Sequence, residues 1–138
     1  MSRTPIRSLG EIALQVGDMD RMVDFYTNVV GLELLRRFPG NGPAFFRIAP
    51  GVEGHTQVLA LFDRGERGES RARRPPLDHI AFSLSLADLA AERERVRALG
   101  VPLREETHAW VQWRSFYIDD PEGNVVEWVA YDPAIPRE

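Results

Sequence analysis

Two stretches of the chain repeat one another, and this repeat restricts the folds that the chain can adopt. The segment EIALQV, which begins at Glu11, has the same alternation of residue types as HIAFSL, which begins at His79. An amphipathic stretch follows each of them and ends at a glycine, Gly31 in the first copy and Gly100 in the second. The copies are spaced by 68 residues at the strands and by 69 at the glycines. Internal duplication explains this agreement better than chance, so we expect two equivalent structural units.

Each copy is predicted to have the element order β-α-β-β-β. Alternation of apolar and polar residues over 11–16 and 79–84 is typical of half-buried strands. Asp18 or Asp20 in the first copy and Ser85 in the second can cap the helix that follows. Further strands are predicted at 32–36, 43–48, 57–62, 114–118 and 124–131. The expected fold class is α+β, with two β-α-β-β-β repeats that form curled mixed sheets around a central cavity and with the helices outside.

A length of 138 residues predicts one domain. We expect repeat one at about 8–63, a polar linker at 64–76, repeat two at about 77–132 and a tail at 133–138. No apolar run is long enough for a membrane helix, and the first residues lack the apolar run of a secretory signal. The expected location is the cytoplasm.

Composition excludes several kinds of chemistry. The sequence has no cysteine and its 17 basic residues are all arginine, which excludes disulfides, thiolate nucleophiles and lysine side-chain bases. A net charge of −4 argues against nucleic-acid binding, which needs a basic face. The cluster Arg71, Arg73 and Arg74 lies in the linker and is read as a solvated charged loop. A metal ion, if present, would need nitrogen or oxygen ligands.

Three polar residues occupy strand positions where chemistry could occur. Residues two apart in a strand share a face, so Glu11 and His79 hold equivalent leading positions, and Glu127 lies among Val125 and Val129. The side of each sheet that faces the helices must be the apolar one. These three polar side chains should therefore point to the other, concave side and converge there. One imidazole and two carboxylates suit Zn, Mn, Fe, Co or Ni. The pattern equally fits a hydrogen-bonded strand histidine and two rim carboxylates, so both readings stay open.

Several motifs together resemble the vicinal oxygen chelate superfamily. This family includes glyoxalase I, methylmalonyl-CoA epimerase, extradiol dioxygenases, and the fosfomycin and bleomycin resistance proteins. The resemblance covers nearly the whole chain. It rests on IALQVGDMD at 12–20, DFY at 24–26, VGLEL at 30–34, LDHIAF at 77–82, and DPEGN at 120–124 with Glu127.

The resemblance implies a metal site with ligands Glu11, His79 and Glu127. Where such families usually carry a fourth ligand this chain has Ala60, so positions would stay open for water or substrate. Ring-cleaving members use two histidines and one carboxylate on iron, whereas Glu11 here replaces a histidine, which disfavours dioxygenase chemistry. Isomerase, epimerase and lyase members polarise adjacent substrate oxygens on the metal, and this tolerates carboxylates better. The resemblance also implies a homodimer.

Further candidates for the site lie in HAWVQWRSFY at 108–117. We expect catalytic roles for His108 as the general base, for Arg114 as a clamp for a carboxylate or phosphate, and for Tyr117. Trp110 and Trp113 could line a cavity, or pack in the core or a dimer interface. His55, with the wrong strand parity relative to Ala60, is expected outside the site. The alternative function is a metal-free protein that binds a small molecule, as in bleomycin resistance.

Overall fold

A computed structural model of the chain describes residues 8–52, 55–64, 77, 79–110 and 112–137. The predicted linker beyond Arg64, with its cluster of arginines, lies outside the described residues. The chain divides into two compact units, Met1–Ala72 and Arg73–Glu138. In the part of the chain that is described, no helix is long and apolar enough to cross a membrane.

The first unit is a four-stranded sheet with one helical segment. Its strands have the order β1-β4-β3-β2, in which β1 runs parallel to β4 and the other neighbours are antiparallel. The elements are β1 (Glu11–Val16), α1 (Met19–Asp24) with a π-helical extension (Phe25–Val29), β2 (Glu33–Arg37), β3 (Ala44–Val52) and β4 (His55–Asp63).

The helical segment of this unit begins and ends where its residues favour it. The Asp18 side chain accepts a hydrogen bond from the backbone N–H of Arg21 and so caps α1. Gly31 follows the π-helical turn with a φ of 86°, a left-handed conformation that glycine adopts without steric cost. Tyr26 and Phe46 are fully buried with ring centroids 6.2 Å apart, so the helical segment packs against the apolar face of the sheet.

The second unit has the same topology. Its sheet has the order β5-β8-β7-β6, with β5 parallel to β8 and the remaining pairs antiparallel. Its elements are β5 (His79–Ser83), α2 (Leu86–Ala98), β6 (Arg104–His108), β7 (Trp113–Asp119) and β8 (Val125–Tyr131). The predicted α+β fold with two β-α-β-β-β repeats is confirmed.

Local signals explain the second unit in the same way. The Ser85 hydroxyl accepts from the backbone N–H of Asp88, as a capping box predicts. Asp120 accepts from the backbone N–H groups of Glu122 and Asn124, and this closes the predicted hairpin between β7 and β8. Helix α2 packs against β7 and β8. This leaves the opposite face of the sheet to carry polar side chains.

Candidate functional site

Glu127 lies on an inner strand of the second sheet, next to β5 and β7. It pairs with Ala81 of β5 on one side and with Tyr117 of β7 on the other. Cross-strand partners share a face and residues two apart along a strand do too, so His79, Tyr117 and Glu127 lie on the face opposite the buried Ile80. The parity argument from the sequence therefore holds within this unit.

The Glu127 carboxylate is buried between two histidines. Glu127 is 7% exposed, and its Oε2 lies 3.8 Å from Nε2 of His79. Its Oε1 lies 3.9 Å from Nε2 of His108. Both distances are too long for hydrogen bonds, although they bring each imidazole into electrostatic contact with the carboxylate. A buried carboxylate needs such partners, because leaving it uncompensated costs several kcal/mol, roughly 3–5.

Tyr117 lies beside both His108 and Glu127. Its hydroxyl lies 2.9 Å from Nε2 of His108, and Tyr117 pairs with Glu127 across two neighbouring strands. Burial of the phenol, followed by its interaction with the Glu127 side chain, raises the pKa of Tyr117 above its ordinary value of 10.0.

The chemistry of His79 and Glu127 fits a divalent metal ion. Two adjacent donors that are each about 2.1 Å from one ion lie roughly 3.0 to 3.4 Å apart in octahedral or tetrahedral geometry, and Nε2 of His79 and Oε2 of Glu127, at 3.8 Å, lie slightly beyond that separation. Imidazole nitrogen and carboxylate oxygen are ligands of borderline divalent ions. Among the described residues, no group of three or more such side chains is arranged to hold a metal. His79 and Glu127, two of the predicted ligands, lie side by side in the second unit.

The first unit carries different residues at the equivalent register positions. Ala60 pairs with Ala13 of β1 and with Phe45 of β3, as Glu127 pairs with Ala81 and Tyr117 in the second sheet. Ala60 is completely buried and supplies no ligand, as the sequence indicated. Glu11 begins β1, exposed, opposite Val58. Its place in a metal site remains a prediction from the sequence.

Arg114 lies apart from the other predicted catalytic residues. Arg114 and Tyr117 are three positions apart in β7 and lie on opposite faces, so Arg114 faces the helix side of the sheet. Its Nε donates a hydrogen bond to Oδ2 of Asp132 at 2.6 Å. With Leu89 and Arg93 of α2 it lines a cavity of about 290 Å³ on that side. The structure brings His79, His108, Tyr117 and Glu127 together and separates Arg114 from them.

Both candidate tryptophans are exposed, Trp110 more so than Trp113. Trp110 is 70% exposed and Trp113 is 45% exposed, so neither belongs to the core of its unit. Trp113 pairs with His108 and lies on the same face. His55, expected outside the site, begins β4 of the first unit.

Sequence reasoning missed strand β6 and with it the neighbour Glu106. Its Oε2 lies 3.9 Å from Nε2 of His108, and its side chain is 60% exposed. The segment REETH has no apolar residue, so periodicity gave no strand signal. The pairing of β6 with β7 makes His108 the last residue of a strand. From the sequence, His108 could also have been a loop residue.

Comparisons with known proteins agree with this architecture. Residues 8–128 match the Glyoxalase/Bleomycin resistance protein/Dioxygenase superfamily. The chain is 31% identical over 117 residues to a lactoylglutathione lyase of Salmonella typhimurium, covering 83% of this chain and 85% of the relative. It is 27% identical to the glutathione transferase FosA of Serratia marcescens, covering 88% and 79%. A crystal structure of lactoylglutathione lyase from Agrobacterium tumefaciens superposes with a TM-score of 0.70 at 31% identity, covering 92% and 96%.

Proposed function

Because the chain belongs to the Glyoxalase/Bleomycin resistance protein/Dioxygenase superfamily, we propose that it is a divalent-metal-dependent enzyme of the isomerase, epimerase or lyase type. Its substrate is a small molecule with adjacent oxygens. The observation that carries the proposal is the 3.8 Å approach of Nε2 of His79 to Oε2 of the buried Glu127. Burying a carboxylate is costly unless a positive charge lies beside it, and a bound cation would supply that charge.

The relatives support an enzyme of this kind. Two of them carry the name lactoylglutathione lyase and one the name glutathione transferase. The superfamily also contains proteins that only bind a ligand, and one scaffold hosts many reactions. The proposal of a lyase or isomerase therefore depends on the site residues of this chain.

His79, Glu127 and, as the predicted third ligand, Glu11 would hold the ion. When bound, a divalent ion supplies Lewis-acid polarisation of adjacent substrate oxygens. The family usually has a fourth ligand where this chain has Ala60, so the proposed site offers open positions to a substrate. Two carboxylates and one imidazole make the ligand set more anionic than the set of ring-cleaving dioxygenases, so we place the enzyme outside that branch.

His108 is the proposed base that moves a carbon-bound proton. Its imidazole is 27% exposed and borders both Tyr117 and Glu127. Imidazole is the side chain that most often accepts and returns a proton in general acid–base catalysis. The sequence contains no cysteine or lysine that could compete for this role.

Elemental analysis of protein purified without an affinity tag tests the metal site. The wild type is compared with His79→Ala and Glu127→Ala, each checked for folding by circular dichroism, and with Glu106→Ala as a matched control. Glu106 is an exposed carboxylate beside His108 outside the proposed ligand set. We expect near-stoichiometric metal in the wild type and the control and its loss in both ligand variants. Stoichiometric metal in folded His79→Ala would contradict the proposal.

A second candidate function is metal-free binding of a small aromatic molecule. It is favoured by the first unit, where Ala60 and Phe45 stand at the positions that Glu127 and Tyr117 hold in the second. The ring of Phe45 contacts those of Phe38 and Phe62 at centroid distances of 6.1 and 6.0 Å. Aromatic walls of this kind bind planar ligands. Undiminished tryptophan quenching by an aromatic compound after chelator treatment, with no metal in the wild type, would favour this function.

We also propose a homodimer, as the family resemblance implies. Light scattering on the purified protein should give about twice the chain mass of 15.7 kDa. A single species at the chain mass would contradict the dimer and leave the metal site untouched.

A further inference from the structure

The cavity of about 290 Å³ on the helix side of the second sheet has an apolar base and a polar rim. Leu89 and Phe116, which line it, are 5% and 1% exposed. Leu89 and Arg93 are four residues apart on α2 and so share one face of the helix. Thr107 and Arg114 pair across β6 and β7 and so share one face of the sheet. Helix and sheet thus enclose a space that offers both apolar and polar contacts.

Arg114 brings hydrogen-bond donors to this space. Its Nε donates to Oδ2 of Asp132 at 2.6 Å, and this bond fixes the orientation of the guanidinium. Within the described part of the chain the guanidinium forms no other hydrogen bond, so both terminal nitrogens keep their donors. The Arg114 side chain is 48% exposed. A ligand that enters the cavity can therefore reach these donors.

The charges around the cavity decide which ligand suits it. Glu105 also lines the cavity, and its carboxylate accepts from Nη1 of Arg93 at 2.9 Å and lies 3.6 Å from Nη2 of Arg97. The same two arginines contact Glu94. Glu106 has the opposite strand parity, so its side chain lies on the other face of the sheet. Carboxylates thus compensate the arginines of this side, and a doubly charged anion such as a phosphate would be repelled more than a singly charged one.

We propose that this cavity binds a small molecule with a single carboxylate and an apolar body. The two terminal nitrogens of Arg114 can donate in parallel to the two carboxylate oxygens. The Thr107 hydroxyl on the same face can donate as well. Leu89 and Phe116 cover the apolar body, in the combination of apolar walls and few polar groups that small-molecule sites commonly have. The site lies on the opposite face of the sheet from the candidate metal ligands and does not depend on the proposed function.

Titration with benzoate, and with butyrate as a narrower probe, tests the site by nitrogen-15 NMR of chelator-treated protein. Benzyl alcohol, which has the ring of benzoate but no charge, is the matched ligand. We expect saturable shifts of the backbone resonances of Leu89, Thr107 and Arg114 with both carboxylates. The affinity for benzyl alcohol should be about tenfold lower, because the charge-assisted hydrogen bonds are lost. The resonances of His79 and Glu127 should stay in place.

Two variants make the test specific to the cavity. Thr107→Phe places a ring in the cavity from an exposed strand position, which tolerates aromatic residues, and should lower the affinity for benzoate about tenfold or more. Ser83→Phe adds the same ring at an exposed position on the other face of the sheet and should bind benzoate as the wild type does. Arg114→Lys keeps the charge but loses the parallel donors, so its affinity should also fall about tenfold.

Unchanged resonances of the buried core verify that each variant is folded. Shifts that do not saturate with either carboxylate would overturn the proposal, as would equal affinities for benzoate and benzyl alcohol. Undiminished benzoate binding by folded Thr107→Phe would overturn it too. Failure of the proposed function is seen separately, as absence of metal uptake by the wild type, and leaves these titrations unaffected because they use metal-free protein.

Discussion

Oε2 of Glu127 lies 3.8 Å from Nε2 of His79, across two neighbouring parallel strands. The strands pair Ala81 with Glu127, so His79 is the diagonal neighbour two residues earlier on the same face. Both side chains therefore project from hydrogen-bonded backbone. Sites built on strands hold their geometry more closely than sites on loops. The separation of the two backbone positions is therefore a property of the sheet and should persist when a single side chain is altered.

The geometry of this pair predicts the effect of Glu127→Asp. The variant keeps the carboxylate but withdraws it by one methylene, and the rigid strand cannot follow. We expect metal affinity to fall by about tenfold or more, as for other small displacements around a metal site. Competition with a chelator of known affinity measures it. Glu106→Asp is the control, and equal affinities of wild type and Glu127→Asp would show that Glu127 is no ligand.

The ion pair of Arg114 and Asp132 predicts a stability difference that depends on pH. The hydrogen bond from Arg114, and then the one from the backbone of Ala134, hold the pKa of Asp132 below its ordinary value of 3.8. A depressed carboxyl pKa adds stability above the unfolded-state pKa, and this stability is lost as pH falls through the folded-state pKa. Asp132→Asn should therefore be less stable than the wild type at neutral pH, with the gap closing in acid.

Urea unfolding at several pH values measures that gap. Asp119→Asn is a suitable control, because Asp119 lies 3.6 Å from Arg104 and both side chains are exposed. A gap for Asp132→Asn that stays constant into acid would show that the charge of Asp132 is not what stabilises the fold.

Because the pKa of Tyr117 is raised, we expect the folded protein to lose stability at alkaline pH. The pKa of Tyr117 is raised above 10.0 by burial first and by the neighbouring Glu127 side chain second. The folded state therefore holds the phenol proton more tightly than the unfolded chain, and this advantage is lost as pH rises from the unfolded-state pKa towards the folded-state one. Urea unfolding from about pH 8 to about pH 11 should show the wild type losing stability relative to Tyr117→Phe. Parallel pH profiles of the two proteins would contradict the raised pKa.

Much of the architecture was predictable because local signals agreed with the final fold. The internal repeat predicted two equivalent units, and the caps at Asp18 and Ser85 and the glycine at Gly31 predicted where helices begin and end. The superfamily predicted from the motifs is confirmed by the match over residues 8–128. Strand β6 was missed, since REETH owes its strand conformation to pairing with β7 and not to its own residues.

The site was predictable only in part. Parity placed His79 and Glu127 on one face because a strand alternates by geometry. Arg114, grouped from the sequence with Tyr117 among the catalytic candidates, lies on the opposite face of the sheet, because the two residues are three positions apart along β7. The contact of His108 with Tyr117 depends on the register of β6 against β7 and on side-chain lean, which no pattern in a single sequence records.

The core beneath the site predicts the cost of removing an aromatic ring. Phe116 and Trp128 are almost fully buried and stack with centroids 4.6 Å apart and planes inclined by 12°. Phe116→Ala should lower the free energy of unfolding by about 3–5 kcal/mol, from lost burial and the cavity left behind. Trp113→Ala removes a larger ring from the same strand, yet that ring is 45% exposed, so its cost should be clearly smaller. Urea unfolding compares the two variants, and an equal or larger loss for Trp113→Ala would mean that Trp113 is covered in solution, as it would be at a dimer interface.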